Sequence, residues 1–411
     1  MSDARLYLFD DDTARGFEPF ARTGPVGELL FGALRQRERA ERVLGLVCAG
    51  HLVGADLAGL SEPGAPGCLV PDEVDDARPR VLLNSRVVPD DHQGSADLDP
   101  SSPARLTVDG RHAGWVLPAG VPLPADPGAT EAGPTDAPER ALPGRWIDHV
   151  WTLMHEGPER TAADIPAYFP ESRFVLTEGV HAEGTDRISL GRDVAVEPGV
   201  VLDARRGPIR LGDGVVVRAF TRIEGPFFAA RGARLLGGSF AATSVGPHCR
   251  VRGEVESSTL LALVNKAHDG FLGHAYVGRW VNLGALTTNS DLKNNYGTVR
   301  VWTPAGRTDT GLVKVGCFLG DHVKTGIGTL LPTGCVVGAG SNVFGSGLAP
   351  AYVPPFSWGG PQGLDVYDLE RFLQTTERAM ARRDVRLDEG TRRALARAWE
   401  ASRAEREAPG A

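Results

Sequence analysis

Residues 319–343 read LGDHVKTGIGTLLPTGCVVGAGSNV, and a period of six residues runs through this stretch. An aliphatic residue or a threonine stands at every sixth position: Leu319, Thr325, Leu331, Val337 and Val343. This period fits neither an amphipathic helix, which repeats about every 3.6 residues, nor an alternating strand, which repeats every two. It is typical of a β-helix, in which each hexapeptide forms one flat side of a triangular coil and its aliphatic residue points into the core.

The same period extends outward from this stretch to residue 190. The further sixth-position residues are Leu190, Val196 and Leu202; Leu211, Val217 and Ile223; Val245 and Val251; and Val277 and Leu283. Small or branched residues occupy the fifth position of each hexapeptide: Val194, Val200, Val215, Thr221, Thr287, Val323, Thr329 and Cys335. Five separate runs with one period argue against a β-sandwich with coincidental spacing. The pattern predicts a parallel β-helix over residues 174–345, with roughly eight or nine coils.

The repeat is interrupted once, after Asn289, and resumes near Leu319. The interruption predicts a loop over residues 290–314, whose tip at residues 303–306 can turn a hairpin. Loops of this length in compact domains are usually functional. We therefore expect the loop to form one wall of a site.

The residues on either side of the coil predict three further segments. Residues 1–143 alternate short apolar runs with helical patterns and then end in a Pro/Ala-rich linker, which predicts an α/β domain. Within it, residues 29–42 predict a helix and residues 43–48 a strand. Residues 144–173 predict a connecting helix, and residues 346–411 a C-terminal extension with two helices.

Composition narrows the class of protein. Lys and Arg number 44 and Asp and Glu 52, which gives a net charge of -8 and argues against a nucleic-acid partner. No run of 18 apolar residues occurs, which argues against a membrane span. The N-terminus lacks a secretory pattern, and the five cysteines form no CxxC pair, so we expect a cytoplasmic protein with cysteines buried as small apolar side chains.

Side chains that can carry chemistry cluster around the interruption. His268 is a candidate general base, because a neutral imidazole accepts a proton near neutral pH. Lys266 and Lys293 can meet a phosphate or carboxylate, and the amides of the asparagines can bind sugar hydroxyls. The predicted substrate contacts are Lys266, Asn282, Asn289, Asp291, Lys293, Asn295 and Tyr296. The backbone N–H groups of Gly284 and Ala285 can face a developing oxyanion.

Residues 261–291, LALVNKAHDGFLGHAYVGRWVNLGALTTNSD, resemble the acetyltransferase core of the bacterial bifunctional N-acetylglucosamine-1-phosphate uridylyltransferase/glucosamine-1-phosphate acetyltransferases. The matching positions are His268, residues 271–273, 281–285 and 289–291. A divergent branch of sugar nucleotidyltransferases is more similar still, through its NKxHDG, LKNNYG, DTG, GDH and PxFSWGG segments. These stand here at residues 265–270, 292–297, 309–311, 320–322 and 354–360.

This resemblance implies a fold and a reaction. The fold is a degenerate nucleotidyltransferase-like α/β domain followed by a left-handed parallel β-helix of hexapeptide repeats and C-terminal helices. His268 would deprotonate the amine of an amino-sugar 1-phosphate, which then attacks the thioester of acetyl-CoA. The residues predicted to bind the acetyl-CoA cofactor are Gly284, Ala285, Asp321 and Lys324. The family forms homotrimers with sites shared between subunits.

The sequence departs from the family at several positions. Phe271 and Ser290 stand where the family has tyrosines, and the family's phosphate-binding Arg and Lys fall near Ala230 and Ser258. The Gly-rich phosphate loop expected after the first strand is replaced by residues 10–12, Asp-Asp-Asp. Arg15 and Arg22 are the nearest candidates for binding UTP or dTTP, and Mg²⁺ would accompany the nucleotide.

The sequence thus predicts an acetyl-CoA-dependent N-acetyltransferase acting on an amino-sugar 1-phosphate. Sugar-1-phosphate nucleotidyl transfer is a second activity for the N-terminal domain, as in synthesis of the cell-wall precursor UDP-N-acetylglucosamine. Two alternatives remain open: a catalytically lapsed trimeric scaffold or sensor that binds a sugar nucleotide, and a zinc enzyme of the γ-carbonic-anhydrase type using His268, His274 and His322.

Overall fold

The computed structural model describes residues 3–90, 98–130, 133–134, 137–170 and 178–407, so the predicted start of the coil at residue 174 lies outside it. From His181 to Gly360 the chain winds as a coil with three flat faces, named A, B and C in the order in which each turn visits them. Parallel strands stack along each face. Face B stacks nine strands within the described residues, in line with the predicted number of coils.

The strand bounds follow the three faces. Face A contains His181–Glu183, Val201–Asp203, Phe271–Gly273, Thr288–Asn289 and Leu330–Leu331. Face B contains Ile188–Leu190, Ile209–Leu211, Thr259–Leu260, Tyr276–Val277, Cys317–Leu319, Cys335–Val337 and Tyr352–Val353. Face C contains Ala195–Val196, Val216–Val217, Asn265–Lys266, Lys324–Thr325, Asn342–Val343 and Ser357–Gly360. Three longer strands pass over more than one face: Thr221–Ala229, Arg234–Val245 and Arg250–Glu256.

The sixth-position residues form the interior of the coil, as predicted. Leu211, Val217, Ile223, Val251 and Val277 are all fully buried, and each stacks on its counterpart one coil later. The predicted left-handed parallel β-helix is confirmed. All five cysteines are free and buried, which confirms their interpretation as small apolar side chains.

The corners between faces explain why glycine recurs in the sequence. Many corner residues adopt a positive φ, which glycine accepts without strain. Gly270 has a φ of +137°, and a Cβ there would lie 2.2 Å from the carbonyl oxygen of Thr287. At the corner between faces B and C, the non-glycine residues Leu263, Trp280 and His322 take the left-handed conformation instead.

The interruption forms the predicted hairpin but does not project from the coil. Strands Arg300–Thr303 and Gly306–Asp309 pair antiparallel around the expected tip. Val299 and Val301 are buried in one cluster with outward side chains of face B. The ring of Trp302 stacks on that of Tyr352 at 3.8 Å. The hairpin lies along the coil because it has an apolar side that the chain buries against face B, and its role as one wall of a site stays a prediction.

The N-terminal domain is an α/β domain, as predicted, with a mixed seven-stranded sheet. Its strands, in spatial order, are Glu139–Ala141, Ala104–Val108, Arg111–Leu117, Arg80–Asn84, Arg5–Phe9, Val47–Leu52 and Cys68–Leu69. The last four run parallel, and Arg111–Leu117 is antiparallel to both of its neighbours. Two small ladders accompany the sheet: Leu30–Phe31 with Leu34–Arg35, and Val87–Pro89 with Gly144–Trp146.

The described chain contains seven α-helices: α1 (Asp12–Arg15), α2 (Gln36–Leu44), α3 (Val150–His155), α4 (Gly157–Tyr168), α5 (Leu369–Ala381), α6 (Glu389–Ala401) and α7 (Arg403–Glu407). Short 3₁₀ turns occur at Val26–Glu28, Pro71–Glu73 and Thr185–Arg187. The helix predicted over residues 29–42 begins only at Gln36, because the apolar residues before it form a buried strand pair. The strand predicted over residues 43–48 begins at Val47. None of the helices in the described part is long and apolar enough to cross a membrane.

Helices α5 and α6 join the two domains. On α5, the ring of Phe372 packs edge-on against Phe356 and His322 at the corner between faces B and C. On α6, Ala394 lies in a buried cluster with Leu57 and Leu60 of the N-terminal domain. The C-terminal helices therefore fix the position of the N-terminal domain on the coil.

A buried carboxylate, Glu28, stabilises the N-terminal domain. Its oxygens lie 2.5 Å from Nε of Arg37 and 2.9 Å from Nε2 of His51. Burial alone would raise the pKa of Glu28, but the hydrogen bond from His51 and the positive charges of Arg37 and Arg35 hold it at about 2. The charged form is therefore favoured in the folded protein.

A Glu28→Gln variant should lose about 3 kcal/mol of stability at pH 7, because a carboxyl with a depressed folded pKa stabilises the protein above its unfolded pKa. That contribution disappears as pH falls from about 5 to about 2, so variant and wild type should converge there. Urea unfolding at several pH values measures this. Glu38→Gln, at a half-exposed ion pair, is the control and should cost less than about 1 kcal/mol. A pH-independent loss in Glu28→Gln would contradict the assignment.

Candidate active site

The predicted base, His268, lies at the corner where face C turns into face A. The strand Asn265–Lys266 ends face C, and Phe271–Gly273 begins face A. The imidazole is exposed, and no group in the described part of the chain hydrogen-bonds to it. Its neighbour Asp269 forms an ion pair with Arg252 at 3.0 Å. The imidazole is therefore open to a molecule that docks at this corner.

The next coil places Gly284 and Ala285 at the same corner. The N–H of Leu286 donates to the carbonyl oxygen of Asp269 at 3.0 Å, which fixes the two corners side by side. The N–H of Gly284 donates to the carbonyl oxygen of Thr325 at 3.1 Å, so this N–H is already used within the coil. The N–H of Ala285 donates to no group among the described residues, and it can meet the carbonyl of a ligand.

Two predicted residues line a cavity of about 340 Å³ between face C and helix α5. They are Asn282, predicted to contact substrate, and Lys324, predicted to contact cofactor. Oδ1 of Asn282 accepts a hydrogen bond from Nδ2 of Asn265 at 2.9 Å. Nζ of Lys324 donates to the carbonyl oxygen of His322 at 3.2 Å, and burial lowers the pKa of Lys324 to about 8. Both side chains therefore face a site large enough for a small ligand.

Four predicted residues lie at the other edge of face A, where the interruption leaves the coil: Asp291, Lys293, Asn295 and Tyr296. Oδ2 of Asp291 lies 2.8 Å from Nδ1 of His274, whose pKa is lowered by burial. Tyr296 is 71% exposed. Lys293 donates to the carbonyl oxygen of Thr298, and Asn295 accepts from the N–H of Gly297. Within one chain, this group and His268 stand at opposite edges of face A.

Two other predicted substrate contacts are buried and stabilise the coil. Lys266 is 2% exposed, and its ammonium donates to the carbonyl oxygens of Arg252 and His268 at 2.7 and 3.1 Å. Burial lowers the pKa of Lys266 to about 8. Asn289 is 5% exposed, and its amide bonds both backbone groups of Gly273 at 2.9 Å. Backbone groups of the coil thus occupy their polar atoms in a single chain, and their roles in substrate binding stay predictions.

Asp321, predicted on the cofactor side, instead seals the contact between the N-terminal domain and the coil. Its Oδ2 accepts from Oγ1 of Thr23 at 3.1 Å and lies 3.0 Å from Nη1 of Arg279. Nε of Arg279 lies 2.5 Å from the carboxylate of Glu62. Burial raises the pKa of both Asp321 and Glu62. The cluster contains one cation for two carboxyls and is closed to a cofactor.

The predicted nucleotide-binding arginines do not form a phosphate site. Arg22 lies 2.8 Å from the carboxylate of Glu18 and 2.6 Å from that of Glu405. Two carboxylates thus neutralise its charge, which leaves nucleotide binding by Arg22 a prediction without a free cation to support it. Arg15 is exposed and pairs with Asp12 at 3.0 Å, so it stands alone.

The acidic run after the first strand does not fit a bound Mg²⁺ ion. Oδ1 of Asp10 accepts from Oγ of Ser85 at 2.5 Å, and its Oδ2 accepts from the N–H of Val26 at 3.2 Å. Arg86 donates to both oxygens of Asp11, at 2.9 and 2.6 Å. Hydrogen bonds within the domain therefore occupy the oxygens that a cation would need.

The segment that follows this run is buried against the coil. Phe20 lies 4.8 Å from the ring of Tyr276 on face B, edge to face. The hydroxyl of Tyr276 donates to the carbonyl oxygen of Leu30 at 2.9 Å. Phe17 and Val26 share the same buried cluster. The place where a phosphate-binding loop was expected is thus an interface between the two domains.

The three histidines of the zinc alternative lie at three different corners. His268 stands between faces C and A, His274 between A and B, and His322 between B and C. His322 is enclosed by Trp280 and Phe372, and burial lowers its pKa to about 3. Within one chain these positions do not converge on one ion, and His322 is enclosed by aromatic rings, so it does not fit a zinc ligand shared with a second subunit.

Face A is the side of the coil that the rest of the described chain leaves uncovered. Large apolar side chains are exposed on it and on the corner that carries His268. We call this set the apolar ridge: Phe220, Leu286, Ile327, Leu330, Phe344 and Leu348. Ile327 is 79% exposed and Phe220 85%. Leu286, Ile327 and Phe344 follow one another on successive coils, whereas Phe220 stands apart from them beyond the exposed Arg252–Asp269 pair; exposed apolar residues gathered in this way are typical of a protein–protein interface.

Sequence reasoning missed the cationic wall of the cavity beneath α5. Its members are Arg250, Arg378, Arg382 and Arg383. Arg378 and Arg382 are four residues apart in a segment already predicted to be helical, so they project from one face. This spacing of four residues is the feature of the sequence from which the cationic wall could have been predicted.

Comparisons with known proteins support the resemblance inferred from the motifs. Residues 6–168 match the family model described as sugar nucleotidyl transferase. The bifunctional protein GlmU of Nitrosospira multiformis is 25% identical over 195 residues, 42% of this chain and 39% of that protein. The GlmU of Sphingopyxis alaskensis is 39% identical over 111 residues, 25% of this chain and 23% of that protein.

A third relative is the bifunctional sugar-1-phosphate nucleotidylyltransferase/acetyltransferase of Sulfurisphaera tokodaii. It is 30% identical over 91 residues, which cover 22% of this chain and 23% of that protein. The chain thus spans less than half the length of each of these three relatives. The resemblance to a GlmU-like superfamily of bifunctional transferases is confirmed.

Proposed function

We propose that this chain of the GlmU-like superfamily is an acyltransferase that moves the acetyl group of acetyl-CoA to the amine of an amino-sugar 1-phosphate. The observation that supports this most is the corner between faces C and A. An unbonded imidazole and an unbonded backbone N–H stand there in neighbouring coils, at His268 and Ala285. General base and oxyanion donor are the two groups that acyl transfer needs.

In this mechanism His268 accepts the proton of the attacking amine. A C–N bond forms to the acetyl carbon, and the C–S bond of the thioester breaks. The Ala285 N–H stabilises the negative charge that develops on the carbonyl oxygen. The imidazolium then returns the proton to the departing thiolate, so that free CoA leaves as its thiol.

The site needs a second copy of the chain, because a single coil offers an exposed corner and no cleft. The apolar ridge includes Leu286, beside Ala285, and it extends along the same corner to Ile327. Self-association through the ridge would bury this apolar surface and enclose His268. This association also produces the shared site of a homotrimer. The edge of face A that carries Asp291 and His274 in one copy is then available to the neighbouring copy.

An Ile327→Glu variant should weaken this association, because it places a charge in an apolar interface. The side chain is 79% exposed in one chain, so folding should be unaffected. We expect light scattering to report a mass that falls from three chains to one, with a matching loss of acetyl transfer.

Val47→Glu is the matched control. Val47 is 61% exposed on the N-terminal domain, away from the ridge, and its variant should keep the mass of the wild type. An Ile327→Glu protein that remains a trimer would refute the ridge as the interface.

The direct test of the function measures release of the CoA thiol. The full chain is incubated with acetyl-CoA and glucosamine 1-phosphate, and a second reaction omits the acceptor. Acceptor-dependent release supports acetyl transfer, whereas its absence with a panel of amino-sugar phosphates favours a binding scaffold. Pyrophosphate release from UTP, Mg²⁺ and a sugar 1-phosphate tests the N-terminal domain separately. We expect none, because the place of its phosphate loop is buried and its carboxylates are occupied.

A further inference from the structure

The cavity between face C and helix α5 is lined by an unusual number of cations. Arg250 and Lys324 project from face C, and Arg378, Arg382 and Arg383 come from α5 and the residues after it. Among the residues that the structure describes, no carboxylate lines the cavity of about 340 Å³. Its volume lies within the range of small-molecule sites.

These charges are not compensated within the chain. Among the described residues, none of the four arginines of the cavity forms an ion pair, whereas Arg392 on the neighbouring helix α6 pairs with Glu377 at 3.0 Å. Nη1 of Arg383 donates only to the carbonyl oxygen of His248, at 3.2 Å. Burial and the nearby positive charges of Arg250 and Arg382 lower the pKa of Arg383.

Gathering like charges disfavours the folded protein, since each cation raises the electrostatic energy of the others; here Arg250 and Arg383 are half-buried, and water screens the exposed Arg378 and Arg382. An anion that enters the cavity removes this cost. Guanidinium groups suit phosphate in particular, because their paired N–H donors match two phosphate oxygens.

The remaining walls suit the rest of a nucleotide. The amide side chains of Asn265 and Asn282 line the cavity beside the cations. The indole of Trp280 forms an apolar wall and is held parallel to the ring of His322, 6.2 Å between centroids. Trp280 is 9% exposed, so it presents an apolar wall against which a base can pack and not an open face on which it can stack.

We propose that the cavity beneath α5 binds the phosphate groups of a nucleotide-type ligand. Two sources share this chemistry: the nucleotide end of the acyl donor and a free nucleoside diphosphate. If the ligand is the nucleotide end of the acyl donor, the inference rests on the proposed function. If the ligand is a free nucleoside diphosphate, it does not.

Isothermal titration calorimetry on the full chain tests the proposal with three probes: adenosine 3′,5′-bisphosphate, UDP and inorganic pyrophosphate. At least one nucleotide should bind, and its affinity should fall as salt is raised. Preference for the bisphosphate identifies the acyl donor as the source, and preference for UDP identifies a nucleoside diphosphate. Binding of pyrophosphate as tightly as either nucleotide, or no binding at all, would overturn the proposal.

The variant for this test is Arg378→Gln combined with Arg382→Gln. We expect nucleotide affinity to fall at least tenfold, while the unfolding midpoint of the ligand-free protein stays equal or rises because repulsion is removed. Arg393→Gln, on the exposed face of α6, is the control and should bind as the wild type does. A double variant that binds normally would refute the site.

His268→Ala separates this inference from the proposed function, because that residue does not line the cavity. Nucleotide binding should be unchanged in His268→Ala. If the wild type binds the nucleotide but shows no acetyl transfer, the proposed function fails and the cavity assignment stands. If transfer depends on His268 but no nucleotide binds, only the cavity assignment fails.

Discussion

Replacing Arg279 by methionine should destabilise the protein by about 3–5 kcal/mol, because the change leaves two buried carboxyls without their cation. The guanidinium lies 2.5 Å from Glu62 and 3.0 Å from Asp321, and its side chain is 6% exposed. Methionine keeps much of the volume, so the loss reports charge and hydrogen bonding and not a cavity. Urea unfolding at pH 7 measures it.

The pH dependence of this variant gives a second readout. Burial raises the pKa of Glu62 to about 8 even with Arg279 present, so the isolated carboxyl should bind a proton readily. An acid whose folded pKa is raised loses stability as pH rises, because ionisation becomes easier in the unfolded chain. Glu62 keeps its proton below about pH 8 in both proteins, so it should add to the deficit of Arg279→Met only above that pH, where the wild type ionises this carboxyl beside its cation and the variant does not.

Arg393→Met provides the comparison. Arg393 pairs with Glu389 at 3.6 Å, but the two side chains are 63% and 68% exposed. Water screens such a pair, and its loss should cost less than about 1 kcal/mol. Equal effects of the two substitutions would show that the Arg279 cluster does not hold the domains together.

The coil could be predicted from the sequence because its signal is local. An inward residue follows its predecessor after six positions, and residues such as Val217, Ile223 and Val337 are fully buried as that rule requires. The hairpin tip at residues 303–306 was predictable for the same reason, since a turn depends on a few adjacent residues.

The six-residue period of inward residues fails where one coil contains more or fewer residues than its neighbours. Lys266 aligns with Val251 across face C, so it occupies an inward position that an aliphatic residue usually fills. Only fifteen positions separate the two residues, and a period of six does not connect them. The lysine therefore looked like a surface ligand in the sequence, although the coil buries it.

Local sequence patterns could not predict how the two domains pack against each other. Local patterns place Phe20 in the α/β domain and Leu30 in a helix. Their partners on face B, Tyr276 and Phe318, are far away in the chain. The packing of this segment against face B occupies the space that a phosphate-binding loop would need. The sequence lacks the loop motif, and the fold leaves no room for the loop.

Replacing His268 by alanine should lower the rate of acetyl transfer by about 10²–10⁴-fold, the usual contribution of a general base. The imidazole is exposed and makes no hydrogen bond to the described chain, so its removal should not change the unfolding midpoint. Loss of rate at constant stability is the signature expected of a group that acts on substrate. Thiol release from acetyl-CoA, with circular dichroism on the same samples, measures both quantities.

Two histidine variants make this test specific. His181→Ala removes an imidazole that is 66% exposed in the first coil and should retain full activity. His274→Ala removes the imidazole that Asp291 orients at 2.8 Å; among the described residues it is the one histidine bordering face A with a carboxylate at its Nδ1. Because a carboxylate-bound imidazole is itself well suited to proton transfer, these variants distinguish two bases at opposite edges of one face. If His274→Ala loses the activity and His268→Ala keeps it, the chemistry belongs to the edge where the hairpin leaves the coil, and the family's histidine position has lost its role in this chain.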